Sequence, residues 1–412
     1  MLLTIIGAGP VGLVSGIIFK RVFPKLNVQI IEKRKGKTRD QIVYFKPYTL
    51  KRTLPESIIK KLTEDGEGCY MLPPDRDQTA YCYKEQVVEG HYSLAISISR
   101  LQDVLEGYAK QLKVKLINKE VLSAKDVKGD IIIGADGIHS VVRRTLMKTE
   151  FKKFDEYESY GLAVTYKDDS NPKFIIGINS DIAEKISLAK IDQHRKRFFR
   201  TNGESYLGLQ ISKVDYKSLI KSDTTDYKDA PKHIKELIVS YLRHIKSDTK
   251  GLKSAQLSVF PIDIKRAVRY AQLVDSTPVF LLGDSAISSH FFSAFGINVG
   301  IEEARYLLQL VHKYDLIIED NNKLNRSDSW KKVIKLFEKQ MDLFSTDALN
   351  EAINVYLPIE QVDQICNGIT KNELNKIAKQ EGVNIKGLSK QEGCYLLSRY
   401  LLLNYSDMFF RN

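Results

Sequence analysis

The sequence predicts an α/β protein: a Rossmann-like nucleotide-binding domain, discontinuous in sequence, with an inserted mostly β domain and a C-terminal helical region. Three observations carry this. Over residues 2–32 a strand, a glycine turn, a helix, a second strand and an acid follow one another. Two later apolar runs, at 131–133 and 279–282, each end in a turn that joins glycine to aspartate. Between them, residues from about 157 to 275 alternate short strand-like runs with polar turns.

The chain has 412 residues. At about 150 residues per domain this is two to three domains' worth of polypeptide. Hydrophobic residues make up 43% and charged residues 28%, which suits a globular protein and excludes disordered and fibrous classes. The formal net charge of +12 asks for an anionic partner, and its location narrows the choice. Residues 1–60 hold 12 Lys/Arg against 3 Asp/Glu, whereas residues 361–412 hold 7 against 5. The surplus surrounds the N-terminal glycine motif, so phosphate recognition accounts for it better than nucleic acid does.

Four cysteines, none in a C-x-x-C pair, make no disulfide scaffold and predict a reducing, cytoplasmic setting. Leu2 to Phe19 is uncharged, which would suit a membrane span. Four glycines and Pro10 interrupt it, and no basic start precedes it, so neither a span nor a secretory signal is expected. Seven histidines are scattered without ligand spacing, and no metal site is predicted.

Leu2–Ile6 suits a buried parallel strand. It leads into Gly7-Ala8-Gly9-Pro10-Val11-Gly12, then a helical stretch to about Phe23, then a strand at Val28–Ile31 that ends on Glu32. Gly7 permits the tight turn, Gly9 lets the backbone approach a diphosphate, and Gly12 lets helix and strand pack closely. Val11 and Gly12 open the helix, whose N-terminal N–H groups and dipole favour phosphate. Glu32, 20 residues beyond Gly12, is placed to accept hydrogen bonds from an adenosine ribose. A single-Rossmann dehydrogenase would also fit this motif alone.

The later turns narrow the choice. One reads Gly134-Ala135-Asp136-Gly137-Ile138-His139-Ser140-Val141-Val142-Arg143. The other reads Gly283-Asp284-Ser285-Ala286 and continues to Ala294-Phe295-Gly296-Ile297-Asn298. With the first motif, these resemble the three signatures of class A FAD-dependent monooxygenases, the para-hydroxybenzoate hydroxylase fold, over most of residues 1–310. The resemblance implies that Asp284 binds the ribitol or a hydroxyl near the diphosphate of FAD. It implies that Asp136, Gly137 and Arg143 support FAD and a passing NADPH, and that Phe295, Gly296 and Asn298 bring backbone N–H groups to the flavin pyrimidine. A helix starting near Gly296 would set positive dipole where reduced flavin carries negative charge. The sequence departs from the common pattern at Ile287, His290-Phe291 and Ser293, where many relatives carry His, a Pro pair and Gly.

Residues 32–50 look like the matching stretch of the MICAL monooxygenase domain. By that resemblance Glu32, Lys33, Arg34, Arg39 and Gln41 would touch FAD, Gln41 standing where an Asn is usual and Lys46 where a Trp is. The segment Ile96–Gln102 begins a helix where an Arg or Gln contacts FAD in many members, and Arg100 is assigned that part. Phe291, Phe292 and Phe295 on one side, and Tyr44, Phe45 and Tyr48 on the other, are candidates to wall a pocket, with core packing as their plainer role.

The expected parts are an FAD-binding domain at 1–70, 96–156 and 276–330, a substrate-domain excursion at 71–95, the substrate domain at 157–275, and the helical region at 331–412. Pro231–Ile245 reads as an amphipathic helix, and 194–200 is a basic run with two readings, steering of an acidic partner or NADPH and an exposed hairpin. Residues 368–403 faintly resemble a SAP-like module, for which packing or protein interaction is preferred to nucleic acid. The resemblance implies an enzyme that uses NADPH and oxygen to oxidise a small aromatic molecule or, by the MICAL-like stretch, a methionine of an acidic protein. The motifs require no acid–base side chain, and no catalytic residue is assigned. A flavin-dependent reductase or oxidase of the same fold, and a non-catalytic binding protein, are the alternatives.

Overall fold

The computed structural model describes residues 1–36, 42–45, 47–63, 68–71, 79–83, 93–153, 159–168, 173–177, 196–200, 203–244, 247–262, 264–289, 295–317, 326–356, 370–380, 386 and 389–390. The chain forms two compact units, residues 1–180 with 194–345, and residues 181–193 with 346–412.

Six strands of the first unit form one sheet: β1 (Leu2–Ile6), β2 (Asn27–Glu32), β7 (Lys115–Asn118), β8 (Ile131–Gly134), β16 (Ala271–Val274) and β17 (Thr277–Leu281). Their order is β16-β17-β8-β1-β2-β7. All neighbours are parallel except the edge pair β16–β17. The apolar runs read as buried strands are the centre of this sheet, with Ile5 in register with Ile30 and Ile133. A strand covered on both faces needs continuous apolar character, which β1 and β8 have.

Helix α1 (Pro10–Val22) follows β1 and buries every residue from Gly12 to Phe19. Its neighbours explain that all-round burial: β2 on one side, with α4 (Ile98–Gln111) and α7 (Phe295–Lys313) packed on it as well. A Cβ on Gly16 would lie 2.8 Å from Ile30 Cδ1, so this glycine sets how closely helix and sheet approach. The uncharged stretch 2–19 is thus a buried strand and a buried helix. No described helix is long and apolar enough to cross a membrane. At the other edge, Phe280 of β17 meets Trp330 and Phe337 of α8 (Arg326–Tyr356), the latter edge-on at 5.3 Å between ring centres. Glu338 of α8 accepts from the backbone N–H groups of Tyr270 and Ala271, which satisfies donors at the start of the edge strand.

A nine-stranded sheet is built from β3 (Ile42–Phe45), β4 (Gly68–Met71), β5 (Thr79–Tyr83), β6 (Ser93–Ser97), β10 (Ser159–Asp168), β11 (Lys173–Gly177), β12 (Lys196–Arg200), β13 (Gly203–Ile211) and β14 (Gln256–Ile262). Its order is β14-β10-β13-β12-β11-β5-β4-β6-β3, antiparallel throughout. Tyr160, Leu162, Val164 and Tyr166 of β10 join Leu207, Leu209 and Ile211 of β13 in one core, the period-two spacing of a covered face. Helix α6 (Lys232–His244) covers it with Ile234, Ile238, Tyr241 and Leu242, matching the amphipathic helix expected there. Helix α5 (Lys213–Lys221) adds Leu219, and Ser212 caps it by accepting from Asp215 N–H. The sequence reading had no helix at α5. Its start signal, Ser three residues ahead of Asp, was present but follows β13 without a glycine or proline break. Of the basic run 194–200, residues 196–200 are described. Its β12 is an inner strand, paired with β11 and β13.

The small sheet β18-β15-β9 comprises β9 (Phe151–Lys153), β15 (Lys265–Ala267) and β18 (Ile287–Ser288). Helices α2 (Pro47–Lys51) and α3 (Glu56–Thr63) complete the first unit. In the second unit, α9 (Lys371–Gln380) starts with a reciprocal cap: Thr370 Oγ1 accepts from Glu373 N–H, and Glu373 Oε2 accepts from Thr370 N–H at 2.7 Å. Most of the SAP-like stretch 368–403 lies outside the described residues.

Candidate functional site

Each of the three motifs sits at the C-terminal end of a parallel strand, and the residues between them interlock. Gly7 adopts a φ of +103°, open to glycine at little cost, and its N–H donates to Ile31 O at 2.8 Å. A Cβ on Gly7 would strike the carbonyl of Ala135, and one on Gly12 the carbonyl of Gly7. The first and second motifs are therefore in backbone contact. Gly9 is different. It caps α1 in extended conformation, and a Cβ there would meet nothing within 4 Å. Pro10 holds the first helical position and the ladder begins with Leu13 N–H on Gly9 O. The N–H groups of Val11 and Gly12 precede that ladder and have no acceptor within the helix.

Val11 joins the first motif to the third. Its Cγ2 would lie 2.7 Å from a Cβ on Gly300 and 3.2 Å from one on Gly283. Gly283 has a φ of +60° and opens the short turn Gly283–Ser285. Asp284 is exposed on that turn, and its Oδ1 would lie 2.9 Å from a Cβ on Gly296, at the start of α7. Ser285 Oγ donates to Gly134 O at 2.6 Å, which ties the third motif to the second.

Glu32 closes one end of this arrangement. Its Oε2 accepts from Ala8 N–H at 2.8 Å, and its Oε1 accepts from Arg34 N–H at 3.0 Å and Arg34 Nε at 3.2 Å. Asn118, at the end of β7, donates to the carbonyls of Glu32 and Arg34. These residues line a cleft of about 670 Å³ with Ala8, Lys35, Gln102 and Lys110. Gln102 Nε2 donates to Ala8 O at 2.8 Å, so α4 braces the glycine turn from the cleft side.

In the second motif Asp136 Oδ2 accepts from Val141 N–H at 2.6 Å, while Oδ1 is buried with no protein partner. Burial raises the Asp136 pKa, opposed by hydrogen bonds from Ser140 and the backbone of Val141 and Val142. Gly137 has a φ of +77°. Arg143 is buried in a π-helical turn, Val142–Leu146. Its guanidinium donates to Ile138 O at 2.9 Å and Ser285 O at 3.1 Å and lies 3.5 Å over the Phe151 ring. Burial pushes its pKa down to about 10. It clasps the second and third motifs from behind.

Of the residues singled out by sequence, Gly7, Gly9, Val11, Gly12, Glu32, Arg34, Asp136, Gly137, Arg143, Asp284, Gly296 and Asn298 belong to the three motifs or, for Glu32 and Arg34, line the cleft. Lys33 is exposed beside Glu32. Arg39, Gln41 and the Phe295 side chain lie outside the described residues, as do Phe291 and Phe292. Arg100 turns elsewhere: its Nη2 donates to Lys61 O, at the end of α3. Two residues of the cluster were not anticipated. Gln102 was inside the helix-start segment, but Arg100 carried the assignment. Glu303, which accepts from Gly283 N–H at 2.6 Å, had no sequence signal beyond its place two turns into α7. Among the described residues no His/Cys/Asp/Glu group could hold a metal ion.

A doubly covered parallel sheet with a glycine turn, an acid on the second strand and two more motifs at its C-terminal end defines a dinucleotide-binding flavoprotein, the fold of class A FAD-dependent monooxygenases. Residues 86–314, more than half of the chain, match the family described as FAD binding domain, and the chain belongs to that family. It is similar to the FAD-dependent monooxygenase ntnA of Nectria sp., 26% identical in an alignment 309 residues long that covers 69% of this chain and 38% of that one. The chain thus spans about two fifths of the length of this curated relative. Among solved structures it resembles PqsL from Pseudomonas aeruginosa, at 16% identity and a TM-score of 0.58 over 85% of this chain and 95% of that one. It also resembles the Diels-Alderase PyrE3 of pyrroindomycin biosynthesis, at 14% identity and a TM-score of 0.56 over 97% and 80%.

Proposed function

We propose that this protein is an FAD-dependent monooxygenase that takes reducing equivalents from NADPH and transfers one oxygen atom from O2 to a small aromatic substrate. The observation that carries the reading is the open backbone at Gly9, on the helix N-terminus where the three motifs meet, with Glu32 to one side and Asp284 on the turn that Val11 touches. The residues fit the cofactor. A Cβ-free cradle faces space where a diphosphate needs close approach, and the buried Asp136 Oδ1 awaits a donor.

Each residue then has a task. Glu32, fixed by Ala8 N–H and Arg34, accepts from the ribose hydroxyls of the adenosine half. The N–H groups of Val11 and Gly12 and the α1 dipole hold the diphosphate. Arg34, with Lys33 and Arg39 by resemblance, neutralises it from outside, and Gln41 by the same resemblance touches FAD. Asp284 accepts from a hydroxyl of the ribitol half. The N-terminus of α7, from Phe295 and Gly296 to Asn298, directs N–H groups and positive dipole at the pyrimidine ring, where reduction adds negative charge. Gly137 and Arg143 keep the Asp136 turn in place beside both nucleotides. Bound FAD supplies hydride acceptance and oxygen activation, and the protein's part is binding, orientation and exclusion of water. We read the six-stranded sheet as the FAD domain and the nine-stranded sheet as the substrate domain. The cytoplasm suits a chain with no evident disulfide scaffold.

The crystal structure of PqsL with 2-aminobenzoylacetate favours a small aromatic substrate; a protein methionine is retained from the MICAL-like stretch. A second reading has its own support. PyrE3 is named a Diels-Alderase, and Ile287 here, strand-paired with Arg266, occupies a place where many flavin monooxygenases carry His. A reductase, an oxidase or a non-redox catalyst on this fold is therefore the alternative. The test is a flavin spectrum of the purified protein, followed by NADPH-dependent oxygen uptake with a panel of aromatic acids and amines and a methionine-containing acidic peptide. An oxygenated product from an aromatic compound supports the proposal. Hydrogen peroxide with no oxygenated product favours an oxidase, and a protein that stays colourless after incubation with FAD overturns both flavin readings.

A further inference from the structure

Glu303 is 1% exposed on the third turn of α7, and its carboxylate reaches back to the third motif, where Oε2 accepts from Gly283 N–H at 2.6 Å. That N–H belongs to a residue with positive φ, 3.0 Å from where a Cβ on Gly300 would sit. The turn is held from three sides: Glu303 below, Val11 from α1, and Arg143 on the Ser285 carbonyl. What the turn presents is Asp284, in van der Waals reach of Gly296. We propose that Glu303 is a positioning residue for the cofactor: its buried carboxyl fixes the Gly283 N–H and thereby the direction of Asp284 at the start of α7. The inference rests on the FAD reading and names a residue that this reading does not use.

Burial pushes the Glu303 pKa up to about 8, the Asp284 charge adds to the rise, and the Gly283 N–H opposes it. Below that pH the carboxyl is neutral. It accepts from Gly283 through one oxygen and adds no charge behind Asp284. Above it, two carboxylates share the turn, which also faces an anionic cofactor, and the cofactor is disfavoured. On α7 itself Glu302 bonds Arg305 at 3.0 Å. Helix α1 carries only Lys20 and Arg21, in its last turn. From α2 and β3, which also pack on α7, only Lys51 is charged, and it is exposed. Arg143 reaches the turn from the far side.

The experiment measures FAD dissociation constants of the full chain between pH 6 and 9.5 for wild type, Glu303→Gln and Glu303→Ala, by quenching of flavin fluorescence. Gln keeps an uncharged oxygen acceptor for Gly283 N–H. Expected are a wild-type affinity that falls about tenfold between pH 7 and pH 9, a Glu303→Gln affinity that holds within about twofold over the same range, and a Glu303→Ala affinity weakened at every pH. A merely structural Glu303 would not make the pH profile depend on its charge. Identical profiles for wild type and Glu303→Gln overturn the inference while leaving the FAD reading intact. Absence of FAD binding by wild type at every pH overturns the FAD reading and this inference with it. If Glu303→Ala fails to fold, the comparison of wild type with Glu303→Gln decides alone.

Discussion

Glu32 accepts a hydrogen bond from the backbone N–H of Ala8 at 2.8 Å, which joins the end of the second strand to the middle of the glycine turn. The contact does two things. It satisfies the N–H next to that of Gly7, which donates to Ile31 O, and it fixes one carboxylate oxygen so that the group is aimed before any ligand arrives. Glu32→Ala should therefore weaken FAD binding by about 10- to 100-fold, the worth of one or two hydrogen bonds to a charged acceptor. Glu32→Gln, which keeps one acceptor, should lose less. Flavin fluorescence titration checks both, and equal affinity in Glu32→Ala and wild type would remove Glu32 from the site.

Arg143 gives a stability prediction. Its guanidinium donates in two directions, to Ile138 O and Ser285 O, and stacks on Phe151. Lysine cannot reproduce a planar fork that reaches two carbonyls and lies flat on a ring. Arg143→Lys should fail to restore what Arg143→Ala loses, and each should destabilise the fold by about 2–4 kcal/mol, since buried carbonyls lose their donors. Both should release FAD more readily because the second and third motifs come apart. Chemical denaturation with a midpoint unchanged in Arg143→Lys would contradict this.

What the sequence made legible follows the range of the interactions concerned. The glycine turn, Glu32 and the two aspartate turns are local: each needs a residue type at a fixed offset from a strand end, and each lies where expected. The parallel sheet was legible because β1 and β8 are apolar without a break, as strands covered on both faces must be. Glu303 and Gln102 were not legible, because their hydrogen bonds to Gly283 N–H and Ala8 O close over 20 and 94 residues. A glutamate two turns into a helix looks like any solvated glutamate until the partner across the fold is known. The place of β12 between β11 and β13 was not legible for a related reason: strand order is set by pairing partners far along the chain.

Gln102 and Arg100 separate cleanly by experiment. Gln102 donates to Ala8 O from the cleft side, whereas Arg100 donates to Lys61 O at the end of α3. Gln102→Ala should lower FAD affinity by about three- to tenfold, the effect of one neutral hydrogen bond lost near the ligand. Arg100→Ala should leave affinity within about twofold and cost about 1 kcal/mol of stability through the α3 contact. The reverse ranking in a titration of the two variants would return the role to Arg100.

Gly9 and Gly12 offer the sharpest separation of fold from function. Alanine at Gly9 meets no atom within 4 Å, and the residue's φ of −65° is open to any amino acid. The fold has no reason to resist the change. A diphosphate lying against that backbone does, because the added methyl group stands where the phosphate oxygens must approach. Alanine at Gly12 would press on the Gly7 carbonyl and, at 3.4 Å, touch Ala135 Cβ. Here the fold resists first, since backbone atoms of the turn must shift. Gly9→Ala should therefore melt within about 2 °C of wild type, less than 1 kcal/mol for a chain this long, yet retain little FAD. Gly12→Ala should lose both, with a clear drop in the melting temperature of the FAD-free protein. Thermal denaturation of both variants with and without FAD reads the two effects apart. Full FAD retention by a stably folded Gly9→Ala would show that the open face of the turn is not where the cofactor binds.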